Sequence, residues 1–321
     1  MRKRIIGLSA TFIGTLIGAG FASGREIALY FSHTSPFTPL FSGACLGMLC
    51  FLFLELGRYY NGDFFVLLGK GRIFTLGVIK FFNAVVTCAM IAGGEGVIFA
   101  LFGIHGGGII TGIITIITII FGVEKLKLIN SLAVPAIILL ILILLFKGNN
   151  KASMEKISVL PSFTYATMNI MSGGYFISTL SKECSQKENA IIAIICGVLL
   201  GLMLLSVYLI IQQDLTSTMP LMSAATRYNL KIVGNLIMYL AIYTTITSSV
   251  TVSSGNNIIK AIIITAICYI VSLFSFEKIV DIFYPIMGIS GAVLTFLTLF
   301  LMLQQRYSLL KLNIGKSNKA N

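Results

Sequence analysis

The stretch GTLIGAGFASGREI, residues 14–27, lies in the first apolar segment of the chain. It brings Gly18, Gly20 and Gly24 close together. Glycine in a helix costs about 1 kcal/mol relative to alanine, so this clustering predicts that the first span is interrupted. Unpaired backbone at membrane depth is tolerated only where it lines a cavity or meets a ligand. The stretch therefore indicates a binding site, with close helix packing through small residues as the alternative.

A second stretch, TMNIMSGGYFISTLSKE, residues 167–183, carries Gly173 and Gly174 and opens the second half of the chain. Interrupted helices at corresponding positions of two halves are the sequence indicator of a transporter binding site. We predict breaks in both the first and the sixth spans, and the packing alternative applies to the sixth as well.

The composition indicates that the protein folds in a lipid bilayer. Of 321 residues, 57% are apolar and 11% are charged, whereas soluble proteins carry about 25% charged residues. Apolar runs near the length of about 20 residues that crosses hydrocarbon recur along the chain. About ten are present, at 5–30, 37–56, 79–102, 107–122, 126–146, 162–180, 190–211, 232–254, 261–276 and 279–303. The prediction is an all-α integral membrane protein in a lipid bilayer.

The domain prediction follows from the span count. Five spans in each half make the second half enter the membrane from the opposite side, which is an inverted repeat. We assign residues 1–150 to the first five-helix repeat, 151–305 to the second, and 306–321 to a cytoplasmic tail.

The formal charge of +12 comes from short basic clusters between apolar runs. Nucleic-acid binding would require a basic stripe, so the clusters are interpreted as topology signals. They place both termini in the cytoplasm of a multi-pass cell-membrane protein. No P-loop, G-x-S-x-G or H-E-x-x-H motif is present, so an enzyme is not expected.

The GAGFASG sequence at 18–24, followed by Arg25 and Glu26, resembles the first span of YkvI-type permeases of the amino acid-polyamine-organocation (APC) superfamily. The resemblance implies the LeuT-type fold, a 5+5 inverted repeat that holds its substrate between broken helices 1 and 6. It does not imply a particular substrate.

The candidate substrate site consists of the two predicted breaks. Free N-H groups and carbonyls at a break carry partial charges, which favours a small neutral amino acid bound as a zwitterion. Its carboxylate would meet N-H groups near Gly18, and its ammonium would meet carbonyls and the Ser172 hydroxyl. The predicted substrate-binding residues are Gly18, Ala19, Gly20, Phe21, Ser172, Gly173, Gly174 and Tyr175.

Two features compete as the coupling site. The eighth span is dense in hydroxyls, and Thr247, Ser248 and Thr251 are predicted oxygen ligands for sodium. The resemblance implies that such hydroxyls act with carbonyls of helix 1, and the alternative is that they bond to their own helix. Glu95, interpreted as a carboxylate inside a span, would support proton coupling, or a structural hydrogen bond. Beyond sodium or a proton, no metal or cofactor is expected.

Arg25 and Asp281 fall near the outer ends of the first and tenth spans. The resemblance implies a gate formed by this pair, and the alternative is two interfacial charges that reach separately toward water. The sequence as a whole favours a secondary active transporter of a small amino-acid-like solute, a symporter working by alternating access. The rival hypothesis is an amino-acid-sensing receptor subunit, similar to a spore germinant receptor, on the same fold.

Overall fold

The computed structural model describes residues 2–148, 156–274 and 276–317, with side chains apart from those of 123–126 and 305–317. The first span consists of three helices: α1 (Arg2–Leu16), α2 (Ala19–Ser23) and α3 (Arg25–Phe31). Gly18 is extended between α1 and α2, and Gly24 takes a left-handed conformation with φ 80° between α2 and α3. The predicted interruption of the first span is confirmed.

The remaining helices follow the predicted spans in order. They are α4 (Phe37–Tyr59), α5 (Arg72–Phe102), α6 (Gly107–Ile120), α7 (Val123–Lys147), α8 (Val159–Leu180), α9 (Gln186–Ile211), α10 (Pro220–Arg227), α11 (Lys231–Ser254), α12 (Ile258–Ser272) and α13 (Phe276–Ser317). A 3-10 helix, Phe64–Gly71, precedes α5. The short α10 lies in the connection between the seventh and eighth spans, outside the predicted helices.

Length and hydropathy support a membrane location. Six helical segments of the described chain are long and apolar enough to cross a bilayer, and α6 and α12 are shorter apolar helices. The prediction of an all-α integral membrane protein is confirmed.

The packing of the helices repeats between the two halves. The first span packs on the fifth (α1 on α7), and the sixth packs on the tenth (α8 on α13). Likewise the second span packs on the sixth (α4 on α8), and the seventh packs on the first (α9 on α1). These equivalent pairs are what two copies of one five-helix unit produce. The predicted boundary at residue 150 lies outside the described residues, so the domain limits stay a prediction.

The predicted break in the sixth span is wrong, because α8 is a continuous α-helix from Val159 to Leu180. Its glycines serve close packing instead. A Cβ at Gly173 would lie 2.7 Å from Leu16 Cδ2, and one at Gly174 would lie 3.1 Å from Phe53 Cδ1. The alternative stated for this segment, approach of helices through small residues, therefore describes it.

Candidate substrate cavity

A small cavity lies where the interruption between α1 and α2 meets α5, α8, α11 and α13. Its volume is about 20 Å³, close to the minimum that holds one water molecule. The helices around it must separate before a solute can enter. Its wall includes Gly18, Glu26, Met90, Asn169, Ser172 and Thr245.

Side chains of other helices form hydrogen bonds with the backbone groups that lose their helical partners at the interruption. Gly14 and Thr15 are at the end of α1, where their carbonyls lose their ordinary helical partners. The Thr245 hydroxyl of α11 lies 3.0 Å from the Gly14 carbonyl oxygen and 3.2 Å from that of Thr15. The Ala19 N-H donates to Met90 Sδ of α5 at 3.2 Å. Tertiary contacts therefore stabilise the interrupted conformation.

Glu26 is the functional candidate that the sequence analysis missed. It lies in the first turn of α3, its residue is 3% exposed, and it forms part of the cavity wall. Its carboxyl group folds back so far that a Cβ at Gly20 would collide with it. The signal was available, because Glu26 falls inside the predicted span at 5–30.

The predicted substrate-binding residues divide into two groups. Gly18 and Ser172 line the cavity, although the Ser172 hydroxyl donates to the Asn169 carbonyl of its own helix at 2.9 Å. Ala19 and Phe21 are buried beside it in α2, and Gly20 faces Glu26.

The other group comes from α8 and lies away from the cavity. Gly173 and Gly174 are used in packing, as described above. Tyr175 packs against Phe65, with ring centroids 5.0 Å apart, and lines a separate cavity.

This separate cavity, here called the vestibule, has a volume of about 460 Å³ and is more polar. Its wall includes Lys80, Tyr175, Thr179, Lys182 and Thr251. The vestibule lies on the same side of the protein as the N-terminus. Arg4 pairs with Glu188 at the start of α9, and Glu188 is close in sequence to Lys182 of the vestibule wall. Ser172 and Tyr175 are three residues apart on α8, so about one helical turn separates the vestibule from the small cavity.

On the opposite side, the structure places Arg25 and Asp281 in contact. The Arg25 Nε donates to Asp281 Oδ1 at 2.9 Å, and Arg25 Nη2 lies 2.9 Å from Glu277 Oε1. Arg25 follows directly on Gly24 and precedes Glu26, so this ion-pair cluster lies next to the cavity. The gate function of the pair stays a prediction.

The hydroxyls of Thr247, Ser248 and Thr251 bond to carbonyls of their own helix. Thr251 donates to the Thr247 carbonyl at 2.7 Å, and Ser248 donates to the Thr245 carbonyl at 2.8 Å. None of the three lines the small cavity in the described structure. The hydroxyl that reaches the first span is that of Thr245, which the sequence analysis did not select.

Glu95 does not lie alone inside a span. Its carboxylate accepts hydrogen bonds from the N-H groups of Gly106 and Gly108, at 3.1 Å and 2.9 Å, just before and at the start of α6. His105 Nδ1 lies 3.2 Å from the same carboxylate, and about a third of the Glu95 side chain is exposed (35%). These contacts correspond to the structural alternative, a carboxylate that satisfies backbone groups at a helix start.

Comparison with known proteins adds to this geometry at the level of the fold. No protein-family model and no curated protein matches the sequence. Among solved structures, the chain is similar to the inward-facing conformation of Mhp1, with a TM-score of 0.64 at 11% identity over 92% of this chain and 74% of that one. It is also similar to Mhp1, a nucleobase-cation-symport-1 family transporter, in a closed conformation with bromovinylhydantoin bound, with a TM-score of 0.57 at 12% identity over 93% and 74% of the two chains.

The fold is of the LeuT type. The predicted fold is thereby confirmed, with an interrupted first span and with a continuous sixth span in place of the predicted break. The YkvI and APC assignment is not shown by these similarities, because identities this low establish the fold alone.

Proposed function

We propose that this protein is a secondary active transporter that carries a small amino-acid-like solute across a membrane by alternating access. The observation that carries the proposal is the position of the small cavity between a closed side and an open side. The Arg25 ion-pair cluster lies on one side, and the vestibule lies about one helical turn away on the other. The described conformation corresponds to the arrangement expected when the outer route is closed and the inner route is partly open.

The cavity wall supports a small solute with an apolar part. Met90, Met168 and Met287 surround it, and methionine side chains adapt to ligands of different shape. The polar part of the wall consists of Glu26, Asn169 and Thr245, together with the interrupted backbone. An amino group would find acceptors here.

We further propose that the coupling cation, if it is sodium, binds at the end of α1 through Thr245 and not through Thr247, Ser248 and Thr251. Carbonyl and hydroxyl oxygens are the ligands that small hard cations prefer, and Thr245 already contacts two carbonyls of the first span. Asn130 of α7 adds an independent observation. It is fully buried, its amide oxygen and nitrogen have no hydrogen-bond partner among the described residues, and a Cβ at Gly14 would lie 3.2 Å from its Cγ. An unpartnered buried amide next to freed carbonyls fits a cation site.

The test is counterflow of radiolabelled amino acids in proteoliposomes, with sodium compared with choline and with a pH gradient compared with none. We expect exchange of at least one small apolar amino acid. Sodium-dependent exchange that is lost in Thr245→Val and kept in Thr247→Val supports the site at α1. Measurable binding without exchange would contradict transport and favour the receptor hypothesis.

A further inference from the structure

Glu26 differs from the other buried glutamates of the protein in its partners. Glu188 pairs with Arg4 at 2.6 Å, and Glu55 pairs with Arg58 at 2.6 Å while accepting from Asn189. Within the described side chains, Glu26 forms no ion pair with a lysine, arginine or histidine. Arg25, its neighbour in the chain, is already engaged with Asp281 and Glu277.

Among the described side chains, the groups of the cavity wall and the hydrogen-bond partners that face Glu26 are all neutral. Tyr165 of α8 donates to its Oε2 at 3.4 Å, and the Phe21 N-H of α2 also faces the carboxyl. The nearest titratable side chains besides Tyr165 are Tyr30 of α3 and Tyr284 of α13. The wall residues from α5 and α11 are Val86, Met90 and Thr245, which carry no charge.

Burial and charge together decide the state of this carboxyl. An ionised carboxylate that is out of water and has no cation costs several kcal/mol. The two hydrogen bonds to this carboxyl, from the Tyr165 hydroxyl at 3.4 Å and from the Phe21 N-H, do not offset a cost of that size. In the closed form with no cation bound at the end of α1, the carboxyl is therefore neutral, and it needs a positively charged partner before it can ionise.

We propose that Glu26 holds a proton while the cavity is closed and exchanges it for the ammonium group of the solute when the cavity is loaded. This inference rests on the proposed transport function and names the substrate class, a small apolar amine or amino acid. The Glu26 O-H bond breaks, the proton leaves to water in the vestibule, and a carboxylate-ammonium ion pair forms. The charge of the cavity stays the same, because one positive charge enters as one leaves.

The exchange also revises the predicted zwitterion site. Two of the amides predicted to meet a carboxylate are occupied by the protein itself, because the Gly18 N-H donates to the Leu16 carbonyl at 3.0 Å and the Ala19 N-H donates to Met90. Recognition accordingly depends on the ammonium, and the carboxylate of an amino acid is not required.

The first test uses infrared difference spectroscopy of the full-length protein between acidic and alkaline pH. We expect a protonated-carboxyl band in the wild type at neutral pH that disappears in Glu26→Gln. Glu95→Gln is the matched control and should keep the band, because Glu95 is partly exposed and held by amides. A band that survives in Glu26→Gln, or that is missing from the wild type, would overturn the inference.

A second measurement needs no variant. A hydrophobic carbodiimide reacts with protonated carboxyls in apolar surroundings, and mass spectrometry locates the adduct. We expect labelling of Glu26 in the wild type, at openings of the cavity that admit the reagent, that falls as pH rises. Labelling of Glu26 that does not change with pH would contradict its protonation even if Glu26→Gln fails to fold.

A third test asks which group of the solute is recognised, and it compares L-leucine, isoamylamine and 4-methylpentanoate as competitors in counterflow. Leucine without its carboxylate is isoamylamine, and without its amino group it is 4-methylpentanoate. We expect inhibition by the first two and none by the third, with apparent affinity weakened by up to about tenfold per unit of acidification in the wild type, since one proton is displaced per solute. Equal inhibition by 4-methylpentanoate would overturn the ammonium assignment, whereas a Glu26 band without exchange of any amine supports protonation and counts against transport instead.

Discussion

The first and sixth spans both carry glycines where the sequence predicts a break, yet only the first is interrupted. At the end of α1, freed carbonyls of Gly14 and Thr15 meet the Thr245 hydroxyl, and the Ala19 N-H meets Met90. Around Gly173 and Gly174 the nearest groups include Leu16 and Phe53, which offer freed backbone no partner. Glycine permits a break, but polar groups from neighbouring helices decide whether it forms.

The largest expected effect comes from filling the space beside the interruption. Gly20→Leu should reduce solute exchange to background, because the new side chain collides with the Glu26 carboxyl and fills the cavity. Gly7→Leu on α1 is the matched control, since a Cβ there has no neighbour within 4 Å. Counterflow on equal amounts of folded protein checks both, and retained exchange in Gly20→Leu would remove this cavity as the site.

The next effect concerns the hydroxyl that supports the break. Thr245→Val leaves two buried carbonyls without this donor and should lower stability by about 1–3 kcal/mol, seen as a lower thermal midpoint in detergent. Thr247→Val should cost less, because its hydroxyl bonds only to carbonyls of its own helix, and these keep their helical N-H donors. Equal losses in the two variants would show that the contact with α1 does not stabilise the interruption.

A smaller effect is expected at the ion-pair cluster above the interruption. Asp281→Asn removes one partner of a partly exposed ion pair, and such a pair contributes up to about 1 kcal/mol. If the pair holds that side closed, its loss shifts the equilibrium between closed and open forms about fivefold toward the open form. Ser217 lies beside the cluster, because its carbonyl accepts from Arg25 Nη1 at 3.5 Å, and its side chain is partly buried. The shift is measured as the rate at which a membrane-impermeant thiol reagent modifies Ser217→Cys. Lys278→Gln changes a neighbouring charge on the same helix and should leave the rate unchanged. A rate that Asp281→Asn does not alter would argue against a gate.

The smallest effect is expected in the continuous sixth span. Gly173→Ala gains about 1 kcal/mol of helix propensity against a close contact with the flexible Leu16 side chain, so stability and exchange should change little. Gly24→Ala is the matching variant in the interrupted first span, and it should lower stability, because a φ of 80° costs a residue with a Cβ about 1–2 kcal/mol. Loss of exchange in Gly173→Ala at unchanged stability would mean that the sixth span must unwind during transport.

The site was only partly predictable from the sequence. Gly18 and Ser172, two predicted site residues that are far apart in the chain, line one cavity, and their substrate-binding role stays a prediction. The contact of Thr245 with the first span was not predicted, because hydroxyls along one helix look alike until the neighbouring helix fixes which of them faces a freed carbonyl. The contacts of Glu95 were not predictable, since its position along an apolar run does not reveal the amides of Gly106 and Gly108 that bond to it.

The sequence by itself determined that the protein lies in a lipid bilayer and is all-helical. It also determined the order of the spans and the interruption of the first span. Those properties depend on local quantities: apolar length, the density of charges and the spacing of glycines. Only the tertiary structure decided that the sixth span stays whole, that Thr245 meets the first span, and that Glu26 lies at the cavity without a cation. Each of these depends on which groups of distant segments come within hydrogen-bond distance, and hydropathy and glycine spacing do not record that.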